Sequence, residues 1–154
     1  SIPYGHDFYL RKVDKVKKQL DSLYKKTSKI EYLSDLGYVL IVERKLTEAR
    51  DLYLEIEKTH PNRYSTASNL GTVYELLGEN DKALLWINKA ITLDSESHYG
   101  SEWLHSKILE AKIKGEAFYT STFLLDIDFD KYNYPISTLS ESKFHKVETA
   151  LYYA

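Results

Sequence analysis

Leu36-Gly37 and Leu70-Gly71 stand 34 residues apart, and the chain around them keeps that period. The offset carries Leu40 to Tyr74, Ala49 to Ala83, Tyr53 to Ile87 and Ile56 to Ala90, and takes Leu36 through Leu70 to Leu104. Large apolar residues recur at helical spacing, while Gly37, Gly71, Ala49 and Ala83 keep the smallest side chains at fixed places. A period of this length marks a structural unit that cannot bury its apolar face alone, so that neighbouring units must stack and share a core. The small residues belong where two helices approach most closely.

Within each unit the order is Leu-Gly, an apolar residue three further on, Ala nine beyond that, then apolar residues at four and seven. This pattern resembles the tetratricopeptide repeat, a 34-residue helical hairpin. The first unit is expected over 30–63 and the second over 64–97. The repeat's terminal proline is present as Pro61 and replaced by Ser95 in the second unit. Its aromatic near the unit start is Leu33 in one and Ala67 in the other. The fold implied is all-α: a short right-handed α–α superhelix of helical hairpins, here with a partly irregular C-terminal arm. Gly78-Glu-Asn-Asp reads as the tight turn of the second hairpin, with Asn80 or Asp81 as helix cap. Glu43-Arg44-Lys45 makes the corresponding turn without glycine, and Thr47 is the expected cap there.

Residues 7–26 read as an N-terminal capping helix, the second helix of an incomplete preceding unit. Val13, Val16, Leu20, Leu23 and Tyr24 form its stripe. Its many lysines are diluted by Asp14 and Asp21, which favours a solvated face over an anionic or membrane contact. Residues 98–118 read as a partial third unit, with its first helix over Tyr99–Ile113 and Ala117 at the alanine position. His105 stands there in place of the small inter-helix residue. Residues 119–137 form the arm: Phe123, Leu125, Ile127 and Phe129 alternate with Leu124, Asp126, Asp128 and Asp130, which is strand spacing. Residues 138–154 read as a last helix, opened by a Thr138–Glu141 capping box and carrying Phe144, Val147 and Leu151 on one side. Exposed tyrosines at its "ALYYA" end would speak for a chain that continues, and the absence of an initiator Met for a processed or trimmed start.

Composition narrows the function. The 154 residues carry 21 Lys+Arg against 23 Asp+Glu, without the basic excess of a nucleic-acid surface. No apolar run approaches the length of a membrane span. With no cysteine, thiolate metal sites, disulfides and cysteine nucleophiles are excluded. Asp126, Asp128 and Asp130 imitate the start of a calcium loop, but Lys131 and Ser137 stand where it needs Gly and Glu. His98, Glu102 and His105 share one helical stripe, yet no further firm metal ligand accompanies them. No nucleophile–base signature or phosphate loop is present, so neither catalysis nor a cofactor is expected.

The resemblance implies a protein or peptide ligand, held in the concave groove lined by the first helix of each unit. The groove positions are Glu31, Ser34, Asp35 and Tyr38 in the first unit, Ser65, Ser68, Asn69 and Thr72 in the second, and Tyr99, Glu102, Trp103 and Ser106 in the third. Relatives that grip the acidic C-terminal tail of chaperones use a Lys, Arg and Asn set there. Only Asn69 matches it, and Ser34, Tyr38, Tyr99 and Trp103 hold the other places, so a carboxylate clamp is not expected. The alternative is a self-associating scaffold, or a regulatory domain of a longer protein, forming a homo-oligomer through the "FLLDIDF" arm or the open solenoid end.

Overall fold

The computed structural model describes residues 5–136 and 139–153, with side chains from Lys12 onward. Helix α1 spans Gly5–Thr27, α2 Ile30–Val42, α3 Leu46–Thr59, α4 Tyr64–Leu76 and α5 Asn80–Leu93. The second hairpin repeats every bound of the first 34 residues on: Ile30 returns as Tyr64, Val42 as Leu76, Leu46 as Asn80 and Thr59 as Leu93. Successive helices pack on one another, α1 on α2, α2 on α3, α3 on α4 and α4 on α5, which is a solenoid of antiparallel hairpins.

The shared core follows from the periodic residues. Ala49, Tyr53, Leu70, Val73, Ala83 and Ile87 are fully buried in one cluster that also holds Ile56 and Leu109. Gly37 lies against the Tyr53 ring and Gly71 against the Ile87 side chain, so tightly that an added Cβ would overlap either one. The small residues thus set how closely the two helices of each hairpin approach.

Both hairpin turns are closed the same way. Arg44 N donates to Ile41 O and Lys45 N to Leu40 O, each at 2.9 Å. One period later Gly78 N donates to Glu75 O at 2.9 Å and Glu79 N to Tyr74 O at 2.8 Å. This double closure requires a left-handed residue, supplied by Arg44 at φ 62° and by Gly78 at φ 78°. Only the glycine takes that conformation without a steric penalty. The expected caps Thr47, Asn80 and Asp81 do not act as such. Lys45 and Glu79 already start the helices, their carbonyls accepting from Ala49 N and Ala83 N, so the cap candidates fall inside the first turn.

In α1, Val13 is buried while Val16, Leu20 and Tyr24 are half-buried. Leu23, expected on the same stripe, is 39% exposed. Lys17 reaches both carboxylate oxygens of Glu43 at 2.9 Å, fixing α1 to the far end of α2.

Beyond α5 the repeat departs from its pattern. The turn α6, Ser97–Gly100, carries His98 at φ 50°, Tyr99 at φ 57° and Gly100 at φ 70°. Helix α7 therefore begins at Glu102, not Tyr99, and ends at Lys114. It packs on α5. No second helix follows it in the hairpin position, as befits a partial unit: Ala117, expected at the alanine position, lies exposed in a 3-10 turn, Glu116–Phe118, so it is not a packing alanine.

The arm is not a strand. Residues Ser121–Leu125 make a short helix, α8, capped by Thr120 Oγ1 accepting from Phe123 N at 3.2 Å and stopped by left-handed Asp126. Extended pairing among the described residues is confined to a single bridge between Phe129 and Pro135. The alternation misled because Phe123 and Leu125 belong to α8, which lies on α7, while Ile127 is buried and Phe129 is left exposed.

Helix α9, Glu141–Tyr153, folds back onto α6 and α7. Thr138 lies outside the described residues, and Ser140 accepts from Lys143 N at 3.2 Å in the capping place. The buried residues of α9 are Val147 and Ala150, while Phe144 and Leu151 point outward. No helix of the described residues is long and apolar enough to cross a membrane.

Candidate functional site

Polar contacts tie α2 to α4 and α4 to α7. Arg63, just before α4, bonds Glu31 of α2 at 3.3 Å. Between α4 and α7 the links are denser. Glu102 Oε1 accepts from the Tyr64 hydroxyl at 2.6 Å and from Ser68 Oγ at 3.0 Å. Glu75 pairs with His105 Nε2 at 2.6 Å through one oxygen and with Lys112 through the other.

These residues enclose a cavity of about 390 Å³, lined by Ser68, Thr72 and Glu75 from α4 and by Glu102, His105 and Ile108 from α7. His98 and Ser101 from the preceding turn and Tyr153 from the end of α9 complete the wall. The electrostatics are set by two carboxylates. The hydrogen bond from His105, then that from Lys112, hold the Glu75 carboxyl down at about 2. Burial, then the bond to Glu102, push the Tyr64 hydroxyl up to about 12, so it remains a donor. Glu102 itself is 8% exposed, and its Oε2 is shielded from solvent with no hydrogen-bond partner among the described residues.

Of the groove residues expected from sequence, Ser68, Thr72 and Glu102 meet in this cavity. Ser65 and Asn69 are half-buried on α4 but outside its lining. On α2, Asp35 and Glu31 are exposed and Tyr38 is 58% exposed, while Ser34 is buried and its carbonyl accepts from Tyr53. Three assignments in the third unit differ. Trp103 points away from the cavity, into a cleft it shares with Phe123, Leu124 and Val147 beneath the Lys146 ammonium. Tyr99 stacks on Tyr153 with ring centroids 4.1 Å apart, at the rim. Ser106 turns toward α5 and donates to Asn88 Oδ1 at 2.7 Å. The later start of α7 explains Tyr99, which lies outside that helix; Trp103 is taken up by α8 and α9 and Ser106 by Asn88 of α5.

Glu75 and Tyr153 were not read from the sequence as site residues. Glu75 closes the end of a core-forming helix, and Tyr153 arrives from a helix whose placement no local pattern announces. His105, expected to pack against a partner helix, instead bonds Glu75, because that partner is absent from the hairpin position. Among the described residues no group of three or more His, Asp or Glu is arranged to hold a metal ion. The three aspartates of the arm are engaged internally: Asp126 with Lys143, Asp128 with Thr122, and Asp130 with the Tyr132 and Tyr134 amides.

Neither a family model nor a curated protein matches this sequence. Among solved structures it is similar to the crystal structure of a tetratricopeptide repeat protein from Parabacteroides merdae ATCC 43184. The two share 20% identity with a TM-score of 0.58, over 73% of this chain and 45% of that one. The present chain thus spans less than half of that structure's length. The likeness shows the fold: an all-α solenoid of tetratricopeptide-type hairpins.

Proposed function

We propose that this chain is a non-catalytic interaction module that takes an extended segment of a partner protein along the face of α2, α4 and α7. The observation that supports this most is the polar cavity between α4 and α7; α2, joined to α4 through Arg63 and Glu31, carries exposed Tyr38 and Asp35. The cavity's hydroxyls, carboxylates and imidazoles are held in place by bonds between α4 and α7, such as Ser68 to Glu102 and His105 to Glu75. Tyr38 is an aromatic anchor of the kind that dominates interface energetics. A face held by packed helices also loses little freedom on binding, so modest contacts suffice.

The test is selection from a random peptide library on immobilised protein, followed by anisotropy titrations of the retained sequences. Tyr38→Ala should weaken binding about tenfold with an unchanged unfolding midpoint. Failure to retain any sequence above the background of a heat-unfolded control would overturn the reading.

A second reading, self-association, is favoured by a different surface. Tyr132, Tyr134, Ile136, Phe144, Leu151 and Tyr152 are all exposed in the C-terminal segment. Where exposed apolar residues of this number adjoin, they mark a contact surface. Light scattering across a concentration series tests it: a mass that rises with concentration and returns to the monomer value in Leu151→Asp supports a homo-oligomer.

A further inference from the structure

We infer that the cleft between α7, α8 and α9 binds a small amphipathic carboxylate, an apolar body carrying a single acid group. The cleft encloses about 400 Å³ and is separate from the peptide-binding reading of the α4–α7 cavity. Its floor is apolar: Trp103 from α7, Phe123, Leu124 and Leu125 from α8, and Val147 from α9. Trp103 and the three α8 residues line it while only half-buried, so they keep apolar surface that a ligand can cover. A mostly apolar wall with a few placed polar groups is the usual make-up of a small-molecule site.

The charged part of the lining selects the acid group. Lys107, Lys143 and Lys146 stand there against a single carboxylate, Asp126. Asp126 is already taken by Lys143, whose ammonium donates to its carboxylate at 2.8 Å and to its backbone carbonyl. Lys146 is exposed and pairs with no carboxylate among the described residues. Lys107 reaches Glu110 only at 3.5 Å, and Glu110 is not part of the lining. An exposed contact of that kind holds a charge weakly. Both ammoniums sit over rings of the floor, Lys107 at 4.8 Å from the Phe123 centroid and Lys146 at 4.9 Å from the Trp103 ring. The rings thus place two positive charges beside apolar surface without neutralising them. A neutral apolar molecule would strip water from the ammoniums and return nothing. A bare anion would leave the apolar floor wet. A molecule with both parts meets both demands.

The probe is octanoate, titrated into the isotopically labelled protein and followed by amide and indole N–H chemical shifts. Octanamide keeps the chain without the charge, and acetate keeps the charge without the chain. Saturable shifts at the Trp103 indole, Phe123–Leu125 and Lys143–Val147 are expected with octanoate, and binding about tenfold weaker with either analogue. The same loss is expected for octanoate when Lys107→Gln and Lys146→Gln are combined, with an unchanged unfolding midpoint. No saturable response, equal affinity for octanamide or acetate, shifts located elsewhere, or unchanged octanoate affinity in the double variant would overturn the site. The analogue comparison uses the unaltered protein, so it decides even if the variant is poorly folded. Shifts in the cleft from the blocked dipeptide acetyl-Leu-Asp-amide, with none from octanoate, would assign the cleft to a protein partner and overturn the proposal as well.

Discussion

The Tyr53 hydroxyl donates to the Ser34 carbonyl oxygen at 2.7 Å, from α3 back to α2. The side chain is fully buried, and burial pushes its hydroxyl well above the ordinary tyrosine range, so it is a donor at neutral pH. The bond spans the hairpin at the point where Gly37 lets the ring in. Packing and hydrogen bonding therefore fix the same side chain. Tyr53→Phe keeps the packing and removes the bond, and it should cost about 1 kcal/mol in urea unfolding. A loss too small to measure would mean that the bond does not contribute.

Gly37→Ala and Gly71→Ala should be unequal. An added Cβ at Gly37 would come within 2.6 Å of the Tyr53 ring, which its hydroxyl tether prevents from swinging away. At Gly71 it would meet Ile87 Cδ1 and Cγ1, an ethyl branch with no hydrogen-bond tether. Alanine gains roughly 1 kcal/mol of helix propensity at both sites, against an overpacking cost of about 1–3 kcal/mol. Urea midpoints should show a clear net loss for Gly37→Ala and a smaller one for Gly71→Ala. In a double-mutant cycle, Gly37→Ala should cost less on the Tyr53→Phe background, where the tether is gone. The reverse order of the two glycines would contradict this account.

Acid should weaken the link between α4 and α7. The Glu75 carboxyl sits at about 2 in the fold, below the 4.5 of a free side chain, first because of His105 and then of Lys112. A folded value below the unfolded one contributes stability above the unfolded value. That stability is lost as pH falls from 4.5 toward 2. Glu75→Gln cannot titrate, so it should be less stable than the parent at neutral pH and converge with it by the acid end of that window. Added salt should narrow the neutral-pH gap, because the group is partly solvated. Parallel stability–pH curves for the two proteins would rule the pairing out.

Ile127→Asp should release the arm. The side chain is 3% exposed although its neighbours Asp126 and Asp128 are solvated. A carboxylate there has no partner to offset its burial. Limited proteolysis should then cut within 119–136 faster than in the parent, while the helical signal of α2–α5 persists. An unchanged cutting rate would show that Ile127 does not anchor the segment.

What the sequence determined by itself was the repeat. Gly37, Gly71, Ala49 and Ala83 could be read directly, because close helix approach needs small side chains at fixed intervals whatever lies elsewhere in the chain. The hairpins 30–59 and 64–93 followed, and with them the placement of Ser68 and Thr72 on one side of α4, where they line the cavity. Tertiary structure decided the rest of the site. The left-handed turn at His98 and Tyr99 delays the start of α7 and leaves Tyr99 at the rim, while α8 and α9 form the cleft that takes Trp103. Alternation in the arm has the same period whether its apolar residues face a second strand or a helix surface, and only the presence of α7 selected the helix surface. Tyr153 closes the cavity because α9 folds back over α6 and α7, a contact between residues distant in the chain that no local spacing encodes.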